Sequence, residues 1–259
     1  MTVALTREVP PSIVNCELTH LKREPINLAR AIEQHSRYEE WLAEFGCEVQ
    51  RLPPLPDLPD SVFVEDAAVV LPELAIIARP GAASRRAEVS SVADSLRSYR
   101  PLAFIEPPGT LDGGDVLRIG ATIYVGHSMR TNAEGIRQLA ELASVRGYDV
   151  RAVKLSGCLH LKSAVCSVAE DTILLNTAWV DSSSFRDLEQ IEVHPAEPSA
   201  ANALWVGEKI LYPDLYPQTR QRLAERGIDV HLLEMDELLK AEAGLTCCSI
   251  LIQTWNLRT

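Results

Sequence analysis

The stretch DVLRIGATIYVG (115–126), with TNAEGIRQLAELASVRG (131–147) and YDV (148–150) after it, decides how this chain is read. Two short apolar runs flank Gly120 and Ala121, which is the pattern of a tight hairpin. Beyond a polar stretch, Ile136, Leu139, Ala140 and Ala143 recur at helical spacing, and Thr131 or Asn132 offers a cap. Gly147 suits the left-handed position that ends a helix. The unit is therefore strand, strand, helix, strand.

The same unit recurs outward from this stretch. Paired runs stand at AAVVL-PE-LAIIA (67–78), SAVCSV-AED-TILLN (163–176) and ALWV-GE-KILY (203–212). Gly46-Cys-Glu-Val and Gly227-Ile-Asp-Val repeat the Gly147 junction, and weaker junctions lie near Tyr99 and Gln190. The handovers are roughly 40–50 residues apart, the range of a supersecondary repeat. A fifth unit closes if CSILIQTW (248–255) pairs with the N-terminal TVAL ahead of a helix at 26–45, which would bring the termini together. The expected fold is one α/β domain over 1–259, a five-bladed pseudo-symmetric propeller of such units around a central cavity. Periodicity alone does not separate this ring from an open α/β sheet.

With 259 residues, 46% hydrophobic and 24% charged, the chain has the composition of a globular protein with a real core. No apolar run approaches the length of a membrane helix, and the start has no signal-peptide pattern. A net charge of −11 argues against a nucleic-acid surface. The six cysteines form no C-x-x-C pair, so a reducing cytoplasm is expected. No helical stripe selects an oligomeric state; a homodimer remains open.

The ring makes a chemical prediction. Residues just before the first strand of each hairpin should face the axis, and these are Glu65 and Asp66, Asp112 and Asp115, His160, Asn202 and Cys247. Most are side chains that active sites use, which favours the ring over the open sheet and nominates a central site. Cys247 and Cys248 open the last strand in this reading, so alternation sends them to opposite faces. Two buried small hydrophobes is the bland alternative. What lifts Cys247 is His160 at the matching position, a group suited to moving protons near pH 7. Asp112 and Asp115 flank Gly113-Gly114, where acids often cap backbone amides. One of them would orient His160 or receive a cation. Asp60, Glu65 and Asp66 surround an apolar Val-Phe-Val and would pair with a guanidinium if they line a cavity. Arg85, Arg86 and Arg130 follow second strands and would clamp a carboxylate. Zincin, lipase, P-loop, dinucleotide and zinc-deaminase motifs are absent.

Taken together, DSVFVED, RPGAxSRR, TLDGGDVL, RTNAEG, HLKS, AAN and GLTCCS resemble the dimethylarginine dimethylaminohydrolase family, with matching segments from about residue 26 to 252. That resemblance implies a five-bladed α/β propeller of the guanidine-modifying superfamily. It implies Cys247 as nucleophile, His160 as general acid/base and Asp112 as the carboxylate associated with that histidine. Glu65 and Asp66 would surround the guanidinium, and Asp60 would contact the amino-acid end of the substrate. Arg85 and Arg130 would clamp its carboxylate. Backbone carbonyls near Leu21 and Ala241 would hold its α-amine, with the THLKREPIN loop (19–27) as a lid whose sequence departs from other members.

The implied reaction is hydrolysis of Nω-methylated arginine to citrulline and a methylamine, without metal or organic cofactor. Alternatives are a deiminase or amidinotransferase acting on arginine or another guanidine, and a non-catalytic methylarginine binder or metal sensor using the Cys247–Cys248 pair.

Overall fold

The computed structural model describes residues 1–254. Trp255, the end of the run expected to close the ring, lies outside the described residues. Among the described residues fifteen strands form five separate three-stranded sheets rather than one open sheet. β1 (Thr2–Arg7) and β2 (Cys47–Leu52) share a sheet with the last strand, β15 (Ile250–Gln253). The others are β3 (Ala68–Val70), β4 (Ala75–Ile77) and β5 (Leu102–Phe104); β6 (Val116–Ile119), β7 (Thr122–His127) and β8 (Asp149–Lys154); β9 (Val165–Ala169), β10 (Thr172–Leu175) and β11 (Glu189–Glu192); and β12 (Leu204–Val206), β13 (Lys209–Pro213) and β14 (His231–Leu233).

Every sheet has one pattern, an antiparallel hairpin whose second strand also pairs in parallel with a third. In the closing sheet β15 is antiparallel to β1, and β1 is parallel to β2. The Met1 amine lies 3.4 Å from the Thr254 carbonyl, and the ring is closed by the pairing of β1 with β15.

A parallel pair needs a crossover, and helices supply most of them. These are α1 (Leu28–Glu44), α2 (Val89–Leu96), α3 (Ala133–Ser144) and, after the short α4 (Leu161–Ala164), α5 (Pro217–Ala224). Between β10 and β11 the crossover holds only a 3-10 turn at Ser182–Phe185, in keeping with the weak junction read near Gln190. On α3, Asn132 is the cap, its side chain accepting from the Gly135 N–H at 2.8 Å, and Leu139 and Ala143 are fully buried. Gly46, Gly147 and Gly227 all have φ between 73° and 87°, the left-handed geometry expected where a helix hands over to a strand.

The apolar core is divided. Five clusters lie between neighbouring sheets, one for each blade interface; Val69, Ile76, Val116 and Val125, for instance, belong to the second and third sheets. Because both faces of each small sheet are covered, the apolar side chains are used up at these interfaces, and the ring's centre is left to polar groups. Asp60, Glu65, Asp66, Asp112, Asp115, His160, Asn202 and Thr246 are buried.

Candidate active site

Four of the five blades begin with a short helical turn that delivers side chains to the axis. The turns are Val64–Ala67, Gly113–Asp115, α4 and Leu245–Cys248. This corrects the reading of the cysteine pair. Cys247 and Cys248 lie on the 3-10 turn ahead of β15, not on the strand, and the turn separates them. Cys248 is buried against α1, while Cys247 is partly exposed. The Gly244 N–H donates to Cys247 Sγ at 3.2 Å. Below the turn, Tyr38 Oη lies 2.7 Å from Ser249 Oγ and fixes the start of the strand.

His160 stands between two carboxylates. Its Nε2 is 3.1 Å from Asp112 Oδ2, and its Nδ1 is 3.8 Å from Asp66 Oδ1. Burial disfavours the charged ring, but Asp66, Asp112 and Asp115 outweigh it and raise the imidazole to about 9. Burial likewise opposes ionisation of Asp66. The charges of His160 and Arg85 and the Gly114 N–H overcome it and bring this carboxyl to about 2. Gly114 has to be glycine, since a Cβ there would sit 2.7 Å from His160 Nδ1 and 2.8 Å from Asp66 Oδ1.

The two acids of the Gly-Gly turn divide their roles. Asp112 holds His160 and also accepts the Gly81 N–H at 2.9 Å. Asp115 is a structural anchor, accepting the Ser128 hydroxyl at 2.6 Å and the Leu161 N–H at 2.9 Å. Burial raises Asp115 to about 6.

Glu65 is bound by two partners that no reading of the sequence assigned to it. Lys162 Nζ lies 2.6 Å from Oε1, and the Thr246 hydroxyl donates to Oε2 at 2.8 Å. Asn202 completes the link, donating from Nδ2 to the Lys162 carbonyl and to Thr246 Oγ1 while accepting the Thr246 N–H. A usable signal existed: a carboxylate after Val-Phe-Val needs a cation when buried, and Lys162 stands two residues after His160. Burial raises Glu65, with Lys162 working against that rise. Burial, then the charges of Glu65 and Asp66, hold the Cys247 thiol well above its ordinary value.

The expected carboxylate clamp is less even than the resemblance implied. The Arg85 guanidinium is buried and committed to Asp66 (2.5 Å), Glu88 (3.0 Å) and the carbonyls of Asp60 and Phe63. One Nη1 hydrogen remains for a further acceptor. Arg86 donates to the Pro80 carbonyl and is exposed. Arg130 is freer, with Nη1 3.8 Å from Asp112 and Nη2 3.4 Å from Thr19 Oγ1. Asp60 accepts the Glu17 N–H at 3.1 Å and so ties the segment leading to the loop at 19–27. Leu21 is half exposed on that loop, and Ala241 is buried beside Glu242.

Two spaces flank these groups. A cavity of about 540 Å³ runs among the first strands of the blades, with Glu65, Lys162 and Thr246 at its inner end. A smaller one of about 230 Å³ lies beside the loop at 19–27, bounded by Leu21, Leu159, Trp179, Asn202 and Gly244. Asp66, Asp112 and His160 bring donor atoms within 4.8 Å of one another, a spacing a metal could use. The His160–Asp112 hydrogen bond, the Asp66–Arg85 ion pair and the N–H groups of Gly81 and Gly114 already engage them as a charge-paired set.

The family model for eukaryotic N,N dimethylarginine dimethylhydrolase matches residues 15–193. The dimethylarginine dimethylaminohydrolase of Streptomyces coelicolor is 40% identical over 248 residues, covering 95% of each chain. That of Pseudomonas aeruginosa is 37% identical over 224 residues, covering 86% of this chain and 88% of the relative. A solved Cys-to-Ser variant of the Pseudomonas aeruginosa protein in complex with citrulline superposes with a TM-score of 0.91 at 34% identity, over 96% of this chain and 98% of that one. A His-to-Gly variant carrying an S-methyl-L-thiocitrulline adduct gives 0.92 at 35% identity, over 97% and 100%. Likeness in sequence and in fold covers most of the ring, and the chain belongs to the dimethylarginine dimethylaminohydrolase family.

Proposed function

We propose that this protein, read as one catalytic unit over 1–259, hydrolyses Nω-methylated L-arginine to L-citrulline and a methylamine, with Cys247 as nucleophile. The observation that carries the reading is His160 held between Asp112 Oδ2 at 3.1 Å and Asp66 Oδ1 at 3.8 Å, in the ring whose Leu245–Cys248 turn carries Cys247.

The incoming guanidinium is a planar cation, and Glu65 and Asp66 are the charges that receive it. Each of their oxygens keeps lone-pair capacity beyond the bonds described. A cation beside Cys247 offsets the acids that hold its thiol up, so binding itself favours the thiolate. The thiolate attacks the guanidinium carbon, and His160 gives its proton to the departing methylamine as the C–N bond breaks. The neutral imidazole then takes a proton from water. The resulting hydroxide equivalent attacks the S-alkylthiouronium carbon, and the C–S bond breaks to release citrulline and the thiolate. Asp112 keeps the ring oriented through both steps. Arg130, with the remaining Arg85 hydrogen, receives the α-carboxylate, and the carbonyls of Leu21 and Ala241 with Asp60 receive the α-amine.

The test is citrulline release from asymmetric dimethylarginine, monomethylarginine, arginine and agmatine in parallel, with Cys247→Ser as the blank. Release from the methylated substrates that is lost in the variant supports the proposal. Preference for arginine or agmatine moves the substrate, and silence on all four overturns it.

A further inference from the structure

The first turn of the loop over 19–27, residues 19–21, is fastened by one side chain that the reaction does not use. Both oxygens of the Glu242 carboxylate accept backbone N–H groups from successive residues of the loop: Thr19 at 2.9 Å, His20 at 2.5 Å, and Leu21. These contacts join positions 221 to 223 residues apart. Three consecutive amides pointing at one carboxylate form an anion-binding concavity made by the loop itself. Glu242 has φ of +56°, the only left-handed non-glycine among the described residues. A non-glycine residue in that region is strained and persists where its surroundings impose it. At residues 19–21 the other side-chain tie is weaker, Arg130 Nη2 to Thr19 Oγ1 at 3.4 Å. The rest of the loop is held separately: Arg23 donates to the Val14 and Cys16 carbonyls at 2.8 and 2.6 Å, Lys240 donates to the Pro25 carbonyl at 3.2 Å, and Glu237 accepts the Asn27 N–H at 2.8 Å.

Glu242 also lies between two parts of the site. Ala241 precedes it, and Gly244, which donates to Cys247 Sγ, follows two residues later. Leu21, whose N–H it binds, and Ala241 are the residues whose carbonyls receive the α-amine in the proposed function. We propose that Glu242 is the latch of residues 19–21, a positioning residue that sets the spacing of the Leu21 and Ala241 carbonyls and thereby the recognition of a free α-amine. This rests on the proposed substrate in its second half; the latch itself does not.

The experiment uses Glu242→Gly, which relieves the left-handed backbone while removing the carboxylate, and Glu242→Gln, which keeps the shape without the charge. Hydrogen exchange of the Thr19, His20 and Leu21 amides should speed by about tenfold or more in Glu242→Gly, and less in Glu242→Gln. KM for monomethylarginine should rise by about tenfold in Glu242→Gly, with kcat within about threefold. The analogue lacking the α-amine should lose no more than about twofold in kcat/KM. Alkylation of Cys247 by chloroacetamidine should proceed at the wild-type rate within about threefold, showing an intact centre. Unchanged exchange at residues 19–21 overturns the latch. Faster exchange with equal losses for both substrates overturns its role in α-amine recognition. A wild-type enzyme that releases citrulline from neither methylarginine refutes the proposed function and leaves the exchange result to decide the latch.

Discussion

His160 Nε2 lies 3.1 Å from Asp112 Oδ2, an approach made across 48 residues of chain and buried at the centre of the ring. The same ring faces Asp66 from its other nitrogen at 3.8 Å. An imidazole held this way is a charged acid at neutral pH with a fixed orientation, which is what protonation of a departing amine needs.

Removing the ring should therefore lower kcat by about 10²–10⁴, the usual worth of a general acid–base group. His160→Ala should also accumulate a covalent adduct on Cys247, visible by mass spectrometry after rapid quench. Asp112→Asn keeps the size but loses the charge facing Nε2, and should lower kcat by about tenfold or more through a misoriented ring. Unaltered steady-state turnover in either variant would remove that residue from the mechanism.

The neighbouring thiols should behave oppositely. Cys247→Ser should abolish turnover, and a rate within about tenfold of wild type would refute the nucleophile. Cys248 is buried among apolar side chains rather than facing the axis. Cys248→Ala should cost about 1 kcal/mol of stability and change kcat/KM by less than about threefold, read by urea denaturation and the citrulline assay.

The charge on His160 links activity and stability to pH. Its folded value, about 9, lies above the ordinary 6.5. The stabilisation it contributes is complete below about pH 6.5 and is lost as the pH rises through about 9. Asp66 is shifted the other way, to about 2, so its contribution is present above its ordinary 3.8 and lost as the pH falls toward 2. Asp115, raised to about 6, costs stability as it ionises between about pH 4 and 6. The urea midpoint of the wild type should fall between pH 7 and 10, and that of His160→Gln should fall less. kcat/KM should decline through about pH 9 as the acid is lost. Equal midpoint slopes in the two proteins would contradict the assigned shift.

Lys162 is the cation of a buried pair, and its loss strands Glu65. Lys162→Met should destabilise by about 3–5 kcal/mol, because an uncompensated carboxylate is left inside the ring. For a chain of this size that is a fall in Tm of about 10 °C. Adding Glu65→Gln should recover a large part of it. A Lys162→Met protein as stable as wild type would show that the pair is dispensable to the fold.

Much of this molecule was legible in its residues. Alternating apolar pairs, the spacing of Leu139 and Ala143, the Asn132 cap and the repeated junction glycines encode local conformations, so the blade unit and its recurrence follow from the chain alone. The position of Glu65, Asp66, Asp112, His160, Asn202 and Cys247 before first strands followed from that repeat. What only the closed ring decided is which of these groups meet. Lys162 reaches Glu65 across 97 residues, Thr246 reaches the same carboxylate across 181, and Glu242 holds a loop from the other end of the chain. The placement of Cys247 and Cys248 on a turn, and the use of most of the Arg85 hydrogen bonds by Asp66, Glu88 and two carbonyls, belong to the same class. Sequence periodicity specifies which way a side chain leaves its own strand or helix. Which charge it then meets, and whether burial shifts its ionisation, depends on the distance between blades, and that is set only when all five interfaces pack.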